Sequence, residues 1–232
     1  MEDEFVNSIL KNWVVLSIGT KGSGKTYLVL KFLKFAIEKD LYDQYILVLP
    51  MFRMEENDSY SFIDPKKNNI YVYDAYHEVI SSELIQFQTK NIKHKLKTFY
   101  LIDDASGEQV FRIDDSLRHL ITSIRHFNTC LWMCVHSASG ILSPFIRQQT
   151  DILFLSKITN YKLLKNIYEE FLSLMDGYIG HEGHENFVKS VIELHKENFQ
   201  VIYMNIRTGS IDYKVAEWNF NNLSEVNIED GE

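Results

Sequence analysis

The sequence predicts an α/β fold in which a mainly parallel central sheet is flanked by helices. Apolar runs of strand length alternate with segments of helical periodicity, which is typical of crossover connections between parallel strands. Two polar motifs directly follow such runs: GTKGSGKTY follows WVVLSI, and an acidic pair ends TFYLIDD. Ligand-binding residues at the ends of buried strands are characteristic of open α/β sheets. With 232 residues, of which 45% are apolar, we expect a single domain over residues 1–232.

The predicted strands are apolar runs bounded by polar residues. They cover residues 13–18, 45–50, 69–74, 98–104, 129–136 and 151–157. A helix is predicted after Lys25, since its apolar residues form one stripe that leaves Lys31 and Lys34 outside. A second helical stripe runs from Leu164 to Met175. The segments FQVIYMNIR and IDYKVAEW, joined at TGS, predict a short C-terminal β-extension.

Most of the formal net charge of −8 lies at the two ends of the chain. MEDE supplies three acids and SEVNIEDGE supplies four, with no compensating base. We expect residues 1–10 and 224–232 to form flexible acidic tails, and residues 176–223 to be a variable C-terminal extension. The net charge therefore neither supports nor excludes a nucleic-acid partner.

The cysteines and the apolar runs exclude several classes of protein. Cys130 and Cys134 are four residues apart in an apolar run, so a strand would place both on one buried face, without a disulfide scaffold or a zinc site. No apolar run approaches the length needed to cross a bilayer, and the N-terminus lacks the basic flank of a signal peptide. A soluble protein of a reducing compartment is expected.

The stretch GTKGSGKTY fits the phosphate-loop pattern of Gly, four residues, Gly, Lys and Thr, between a strand and a helix. Glycines let backbone N–H groups turn toward phosphates, and the helix N-terminus adds positive potential. Lys25 is expected to reach the β and γ phosphates, and Thr26 to bind Mg²⁺. The pattern thus predicts a P-loop NTPase that binds ATP and Mg²⁺, with GTP left open as the nucleotide. The predicted nucleotide-binding residues are Gly19, Thr20, Lys21, Gly22, Ser23, Gly24, Lys25, Thr26 and Tyr27.

A second acidic motif is needed because Mg²⁺ at the phosphates takes a carboxylate from a neighbouring strand. The run TFYLIDD supplies it, since four apolar residues lead into Asp103 and Asp104. Asp103 is expected to hold the metal through a bound water, and Asp104 to polarise the attacking water as general base. A nucleotide kinase would not need the second acid, so the pair favours hydrolysis.

The segment DDSLRHLITSIRHFNT predicts a helix that places Arg118 and Arg125 on one flank. Hydrolytic P-loop motors often complete the site with an arginine from the adjacent subunit. Arg125 and Arg147 are the candidates, and the alternative is that both are ordinary surface arginines. His136 ends the next apolar strand, where it either senses the γ-phosphate or caps a turn.

Taken together, these motifs resemble the genome-packaging ATPases of poxviruses and other large DNA viruses, which belong to the FtsK/HerA superfamily of ring-shaped DNA pumps. The resemblance covers about residues 10–175 and includes RHFNT and IRQQTDILF. It implies a RecA/FtsK-HerA-like fold, with Lys25 and Thr26 at the phosphates and magnesium and Asp103 and Asp104 as the acidic motif. It also places His136 at the sensor position, where the family usually has glutamine.

The resemblance further implies an ATPase that assembles as a homo-oligomeric ring and translocates double-stranded DNA without sequence preference into a preformed capsid. Capsid or portal-vertex proteins are the implied partners, and the host cytoplasm, the viral factory or the virion is the implied location. Alternatives are a small-molecule nucleotide kinase and a non-motor nucleotide-binding protein. The kinase would need an arginine-rich lid, which residues 163–185 do not supply. A GTP-dependent switch would need an Asn-Lys-X-Asp segment, which is absent.

Two further clusters have weaker interpretations. KNIKHKLK contains four lysines, which either line a DNA-facing surface or complement a helix dipole; they are Lys90, Lys93, Lys95 and Lys97. GHEGHE, at residues 180–185, lacks the helical i, i+4 spacing of a zinc site and is expected to form a solvated loop.

Overall fold

The computed structural model describes residues 5, 12–50, 58–67, 69–104, 114–136, 144–172, 183–196 and 200–212. Eight strands form one sheet. In chain order they are β1 (Val14–Ile18), β2 (Gln44–Val48), β3 (Ile70–Tyr73), β4 (Thr98–Ile102), β5 (Thr129–Val135), β6 (Ile152–Leu155), β7 (Ile202–Asn205) and β8 (Ser210–Asp212).

Apart from the single helical residue Phe5, six α-helices lie in the described part of the chain. They are α1 (Lys25–Glu38), α2 (Glu78–Lys90), α3 (Asp115–Thr122), α4 (Pro144–Gln149), α5 (Tyr161–Ile167) and α6 (Gly183–Leu194). A π-helical turn, Tyr168–Leu172, continues α5, and short 3-10 turns lie at Asp58–Tyr60 and Ile92–His94. No helix among these residues is long and apolar enough to span a membrane.

The order of strands across the sheet is β3-β2-β4-β5-β1-β6-β7-β8. The six strands from β3 to β6 are parallel, whereas β7 and β8 pair antiparallel at one edge. This confirms the predicted mainly parallel sheet with its short C-terminal β-extension. Because β5 lies between β1 and β4, the carboxyl ends of these three strands are neighbours at one edge of the sheet.

Helices cover both faces of the sheet. Alternate residues of β1 belong to different apolar clusters, since Val14 and Leu16 contact one layer and Val15 contacts the other. Helix α1 covers the Val15 face, and α2 to α6 contribute to the opposite cluster. The predicted stripe of α1 is fully buried: Leu28, Val29, Phe32, Leu33, Ala36 and Ile37.

Phe5 is helical and fully buried, although it lies within the predicted acidic tail over residues 1–10. Its ring lies 5.1 Å from that of Phe154 and 5.6 Å from that of Phe32, measured between centroids, in edge-to-face geometry. The prediction of a flexible tail is therefore wrong for Phe5, because this ring is part of the apolar layer beside α1. The other residues of 1–10, and all of 224–232, lie outside the described residues.

Helix α3 is shorter than predicted. It ends at Thr122, where the N–H of Ser123 donates to the carbonyls of both His119 and Leu120. The apolar residues of the helix and the turn that follows it are buried: Leu117, Leu120, Ile121 and Ile124. Arg125, however, follows the helix in a turn, so it does not share a helical flank with Arg118.

The C-terminal region contains one helix that was not predicted. Helix α6 begins at Gly183, so His184 and Glu185 are helical and the predicted loop is wrong for them. The ring of His184 packs against Tyr168 at a centroid distance of 5.2 Å, which accounts for its place in the fold. Gly209 has a φ of 75° in the turn between β7 and β8. Residues 173–182, including Met175 and the first part of GHEGHE, lie outside the described residues, as do residues 213–223.

Candidate nucleotide site

The candidate nucleotide site lies at the carboxyl ends of β1, β4, β5 and β6. The phosphate loop leaves β1 and enters α1 at Lys25, Asp103 and Asp104 follow β4, and His136 follows β5. Lys157 follows β6 on the other side of β1, where its carbonyl accepts hydrogen bonds from the N–H and hydroxyl of Thr20 at 3.0 and 2.9 Å. Parallel strand order therefore brings together residues from four separate parts of the sequence.

Two glycines of the loop are required for different physical reasons. Gly22 has a φ of 73°, a left-handed conformation that other residues adopt only with strain, although there is free space around it. Gly19 is required because there is no room for a side chain: a Cβ would lie 2.5 Å from the Ser23 hydroxyl oxygen and 2.7 Å from the Ser156 Cβ. The loop thus approaches β6 more closely than any side chain at Gly19 would allow.

Lys25 is buried beneath the loop with its ammonium held in place. Its Nζ donates to the carbonyls of Gly19 and Thr20 at 2.9 and 3.0 Å, and lies 3.2 Å from Nδ1 of His136. Burial lowers the pKa of Lys25, while the nearby Cys134, Asp103 and Asp104 oppose that shift. A partly desolvated ammonium at this position gains stabilisation from an incoming phosphate, since the local carboxylates only partly compensate its charge.

The first turn of α1 offers backbone donors to an anion. The first intrahelical bond runs from the N–H of Leu28 to the carbonyl of Gly24 at 3.0 Å, so the N–H groups of residues 25–27 have no acceptor within the helix. Gly24, the N-cap, has no side chain that could satisfy them. A phosphate is the ligand class that this arrangement suits.

Thr26 and Asp103 form the candidate magnesium site. The Thr26 hydroxyl donates to both carboxylate oxygens of Asp103, at 3.0 and 3.2 Å. Hydroxyl and carboxylate oxygens are ligands that Mg²⁺ prefers, and in phosphate sites the metal takes few ligands from the protein. The described residues contain no group of three or more His, Cys, Asp or Glu side chains suited to a metal, so this pair is compatible with Mg²⁺ only together with phosphate and water.

Asp103 is largely buried at the end of β4. Burial raises its pKa, and hydrogen bonds from Thr26 and Cys134 act in the opposite direction. The backbone N–H of Asp103 still pairs with Val48 of β2 at 3.0 Å, which fixes the carboxylate at the sheet edge. Cys134 was predicted to be a small buried residue, and this is confirmed, but its contact with Asp103 was not predicted.

Tyr60 is a residue of the site that the sequence motifs did not reveal. It lies in the 3-10 turn between β2 and β3 and is buried. Burial, with the negative charges of Asp103 and Asp104 among the further causes, raises the pKa of Tyr60 to about 12. The segment carries no recognisable motif, and only the position of β2 beside β4 brings the phenol near the two carboxylates.

Asp104, His136 and Lys25 form a continuous polar chain. Nε2 of His136 lies 2.8 Å from a carboxylate oxygen of Asp104, and its Nδ1 faces the Lys25 ammonium. These partners assign the tautomer, since the Nε2–H donates to Asp104 and leaves the Nδ1 lone pair toward Lys25. Asp104 has a φ of 51°, and a left-handed conformation in a non-glycine residue is common at functional sites.

The two candidate arginines differ in their surroundings. The guanidinium of Arg147, in α4, forms an ion pair with Glu170, and its side chain is only 18% exposed. Arg125 is exposed in the turn before β5. This turn lies at the amino ends of the parallel strands, and therefore opposite the nucleotide site of its own subunit. Neither arginine lies among the residues at the carboxyl ends of β1, β4 and β5. Within the loop, Lys21 and Tyr27 are exposed.

Comparison with solved structures identifies the fold. The DNA-packaging ATPase B204 from Sulfolobus turreted icosahedral virus aligns with a TM-score of 0.63 at 16% identity, over 88% of this chain and 97% of that chain. The genome packaging NTPase B204 of Sulfolobus turreted icosahedral virus 2, in complex with ATP-gammaS, aligns at 0.61 and 16% identity, over 87% and 96%. The chain has the fold of a viral genome-packaging NTPase. This agrees with the predicted α/β P-loop architecture.

The same fold extends to a secretion ATPase. The cytoplasmic domain of the Thermomonospora curvata Type VII Secretion ATPase EccC aligns at a TM-score of 0.52 and 12% identity, over 88% of this chain and 23% of that chain. No protein-family model and no curated protein matches the sequence. At these levels of identity, the likeness concerns the path of the chain, and the chemistry must be argued from the residues of the site.

Burial of Asp103 leads to a prediction about stability. Because its pKa is raised in the folded protein, the charged form is less favourable than in the unfolded chain, so its contribution to stability falls as pH rises through the folded pKa. Asp103→Asn is expected to raise the Tm of the ligand-free protein at pH 7 and to have little effect below the ordinary value of 3.8, where the wild-type carboxyl is protonated in both states. The prediction is tested by measuring the Tm of the wild type and of the Asp103→Asn variant between pH 7 and a pH below 3.8. A lower Tm of the variant at pH 7 would contradict the argument.

Proposed function

We propose that this chain is an ATP-hydrolysing DNA translocase that packages double-stranded viral DNA into a preformed capsid and acts as a homo-oligomeric ring. The observation that carries the proposal is the convergence of Lys25, Thr26, Asp103, Asp104 and His136 at one edge of the parallel sheet. These side chains supply a phosphate-binding cation, a metal site and a candidate base within one connected network.

Binding of the nucleotide relies on the loop and on Lys25. The N–H groups of residues 25–27 and the Lys25 ammonium donate to the phosphates, in place of the present contacts of Lys25 with two carbonyls and His136. Thr26 and Asp103 would hold Mg²⁺, which would neutralise charge on the phosphate oxygens.

Hydrolysis requires a base beside the γ-phosphate. Asp104 accepts a proton from the attacking water as the water oxygen bonds to the γ-phosphorus and the bond to the β-phosphate oxygen breaks, with its electron pair leaving on ADP. His136 holds the Asp104 carboxylate through the 2.8 Å contact. When Lys25 moves to the phosphates, the Nδ1 of His136 loses its partner, so His136 senses whether the site is occupied.

An arginine from a neighbouring subunit completes the site in this proposal. Arg125 is favoured over Arg147 because it is exposed and lies at the edge opposite its own phosphate loop, whereas Arg147 is paired with Glu170. A guanidinium that acts in the nucleotide site of a neighbouring subunit must project into solvent from its own subunit. Arg125 is exposed and can do so.

The packaging role rests on two further supports. The fold is shared with packaging NTPases, one of which has been solved with ATP-gammaS. The motif set also resembles the packaging ATPases of poxviruses and other large DNA viruses, and that resemblance implies portal-vertex or capsid partners and a location in the host cytoplasm, the viral factory or the virion. A nucleotide kinase is the second candidate, favoured only by the phosphate loop, and the absence of arginine from residues 163–185 argues against it.

Steady-state ATP hydrolysis with and without linear double-stranded DNA tests the proposal. We expect DNA to stimulate hydrolysis severalfold, since a translocase couples the two activities. A rate of ATP hydrolysis that does not change with DNA would contradict the proposed DNA translocase. Phosphoryl transfer from ATP to a nucleoside monophosphate would instead support the nucleotide-kinase alternative. The molecular mass of the protein in solution, measured with nucleotide and DNA present, distinguishes a ring from a monomer.

A further inference from the structure

A cluster of lysines lies at the amino ends of the parallel strands, opposite the nucleotide site. We define the basic edge as Lys90, Lys93, Lys95 and Lys97, which precede β4. The first three are exposed and Lys97 is half-buried. Among the described residues none of these lysines lies within ion-pair distance of a carboxylate; the ion-paired lysines are elsewhere, on α1, α5 and α6 and just after α6.

A helix-dipole role accounts for only one of these lysines. Lys90 lies in the last turn of α2, where a cation complements the dipole. Lys93 lies in the following 3-10 turn and Lys95 follows that turn, so neither belongs to the α-helix. The end of α2, the 3-10 turn and the residue after that turn thus each carry an exposed lysine. Stabilisation of α2 does not explain Lys93 and Lys95.

The backbone of the basic edge is held in a defined conformation. Lys95 has a φ of 48°, which is strained for lysine, and its carbonyl accepts a hydrogen bond from the Asn128 side chain at 2.5 Å. Asn128 in turn accepts from the Asn12 side chain at 2.8 Å, and its carbonyl accepts from the N–H of Thr98 at 3.0 Å. This network fixes the lysine-bearing loop to the starts of β1, β4 and β5, so the cations are displayed on a rigid support.

We propose that the basic edge is a binding surface for the phosphate backbone of double-stranded DNA. This inference rests on the proposed function for the choice of DNA as the polyanion. Lysine contributes point charges, whereas reading of base edges favours arginine, so a lysine cluster suits contacts that do not depend on sequence. The apolar Ile92, between Lys90 and Lys93 in sequence, is 54% exposed and offers contact to the sugars.

The position of the surface connects it to the nucleotide site. Lys97 immediately precedes β4 and Asp103 immediately follows it, so one five-residue strand joins the two sites over roughly 20 Å. The carboxylate of Asp43 accepts from the backbone N–H of Lys97 at 2.6 Å, so an acid lies against Lys97. None of the described carboxylates lies within ion-pair distance of Lys90, Lys93 or Lys95.

The test compares two triple variants with the same change in charge. K90Q/K93Q/K95Q removes the exposed cluster, and K34Q/K165Q/K189Q removes three lysines that are also exposed but ion-paired elsewhere. Binding of linear double-stranded DNA of mixed sequence is measured over a range of salt concentrations. Each phosphate contact contributes about 0.9 to the slope of log affinity against log salt, so the first variant is expected to lower the slope by about 2 to 3 and the control to leave it unchanged.

The outcomes separate this proposal from the proposed function. If the wild type binds DNA and both triple variants keep its salt slope, the basic edge is not the DNA surface, and the proposed function is unaffected. If the wild type does not bind DNA at any salt concentration, both proposals fail. If the first variant changes only the oligomeric mass, the surface contacts another subunit and the inference is overturned. Basal hydrolysis should match wild type in both variants, since none of the six lysines lies at the nucleotide site, and Tm should fall only slightly, because exposed ion pairs and helix-dipole contacts contribute little.

Discussion

Replacement of Lys25 with methionine is expected to abolish useful ATP turnover. Lys25 is the only buried lysine in the described part of the chain, its ammonium lies beneath the phosphate loop, and methionine keeps its length without its charge. Loss of a charge-assisted hydrogen bond costs about 1.5–3 kcal/mol, which corresponds to roughly 10- to 100-fold weaker nucleotide binding. Loss of a preorganised donor to the transition state lowers kcat by a further factor of about 10² to 10³.

The measurements are nucleotide affinity, from the thermal shift or direct titration, and steady-state kcat. The Tm of the ligand-free variant should be close to wild type or higher, because burial already disfavours the Lys25 charge. Lys34→Met is the matched control, since Lys34 lies on the exposed side of the same helix. Wild-type turnover by the Lys25 variant would exclude the loop as the hydrolytic site.

Asp104→Asn is expected to separate binding from hydrolysis. Asparagine keeps an oxygen that can accept from His136 but cannot take up the proton of the attacking water. General-base catalysis contributes about 10² to 10⁴, so kcat should fall by that factor. Nucleotide affinity should stay the same or rise slightly, because a negative charge near the phosphates is removed.

Single-turnover hydrolysis and equilibrium nucleotide binding, measured on the same preparation, test this separation. Asp40→Asn is a close control, since Asp40 is also exposed and has the same φ of 51° as Asp104, but it lies after α1 at the opposite edge of the sheet. An Asp104 variant that retains wild-type kcat would remove Asp104 from the role of base. A variant that loses nucleotide binding instead would assign Asp104 to the metal or phosphate site.

Much of the candidate site could be predicted because its signals are local. The glycines, Lys25 and Thr26 are contiguous, and their chemistry depends on the backbone of a single turn. The proximity of Thr26 to Asp103 also followed from a general rule, since the carboxyl ends of parallel strands meet at one edge, and the 3.0 Å contact agrees with it. The strands were recognisable for a similar reason, because buried parallel strands are continuous apolar runs.

Other features depended on residues that are distant in sequence. The Lys25–His136 contact joins positions 111 apart, and it requires β5 to lie beside β1. The burial of Tyr60 near Asp103 requires β2 to pair with β4. Phe5 was assigned to a tail because its neighbours in sequence are acidic, yet its environment is set by Phe32 and Phe154. Sequence periodicity contains no information on these pairings.

The sequence by itself determined the type of protein: a parallel α/β sheet, a phosphate loop, and an acidic pair at the end of a buried strand. Those properties follow from short-range patterns of apolar, glycine and charged residues. Only the tertiary structure decided that His136 links Lys25 to Asp104, that Arg147 is paired with Glu170, and that the lysines before β4 lie on the edge opposite the nucleotide site. The physical reason is that strand order and helix packing, which arise from the burial of the whole apolar core, set the distances between side chains that the chain itself keeps far apart.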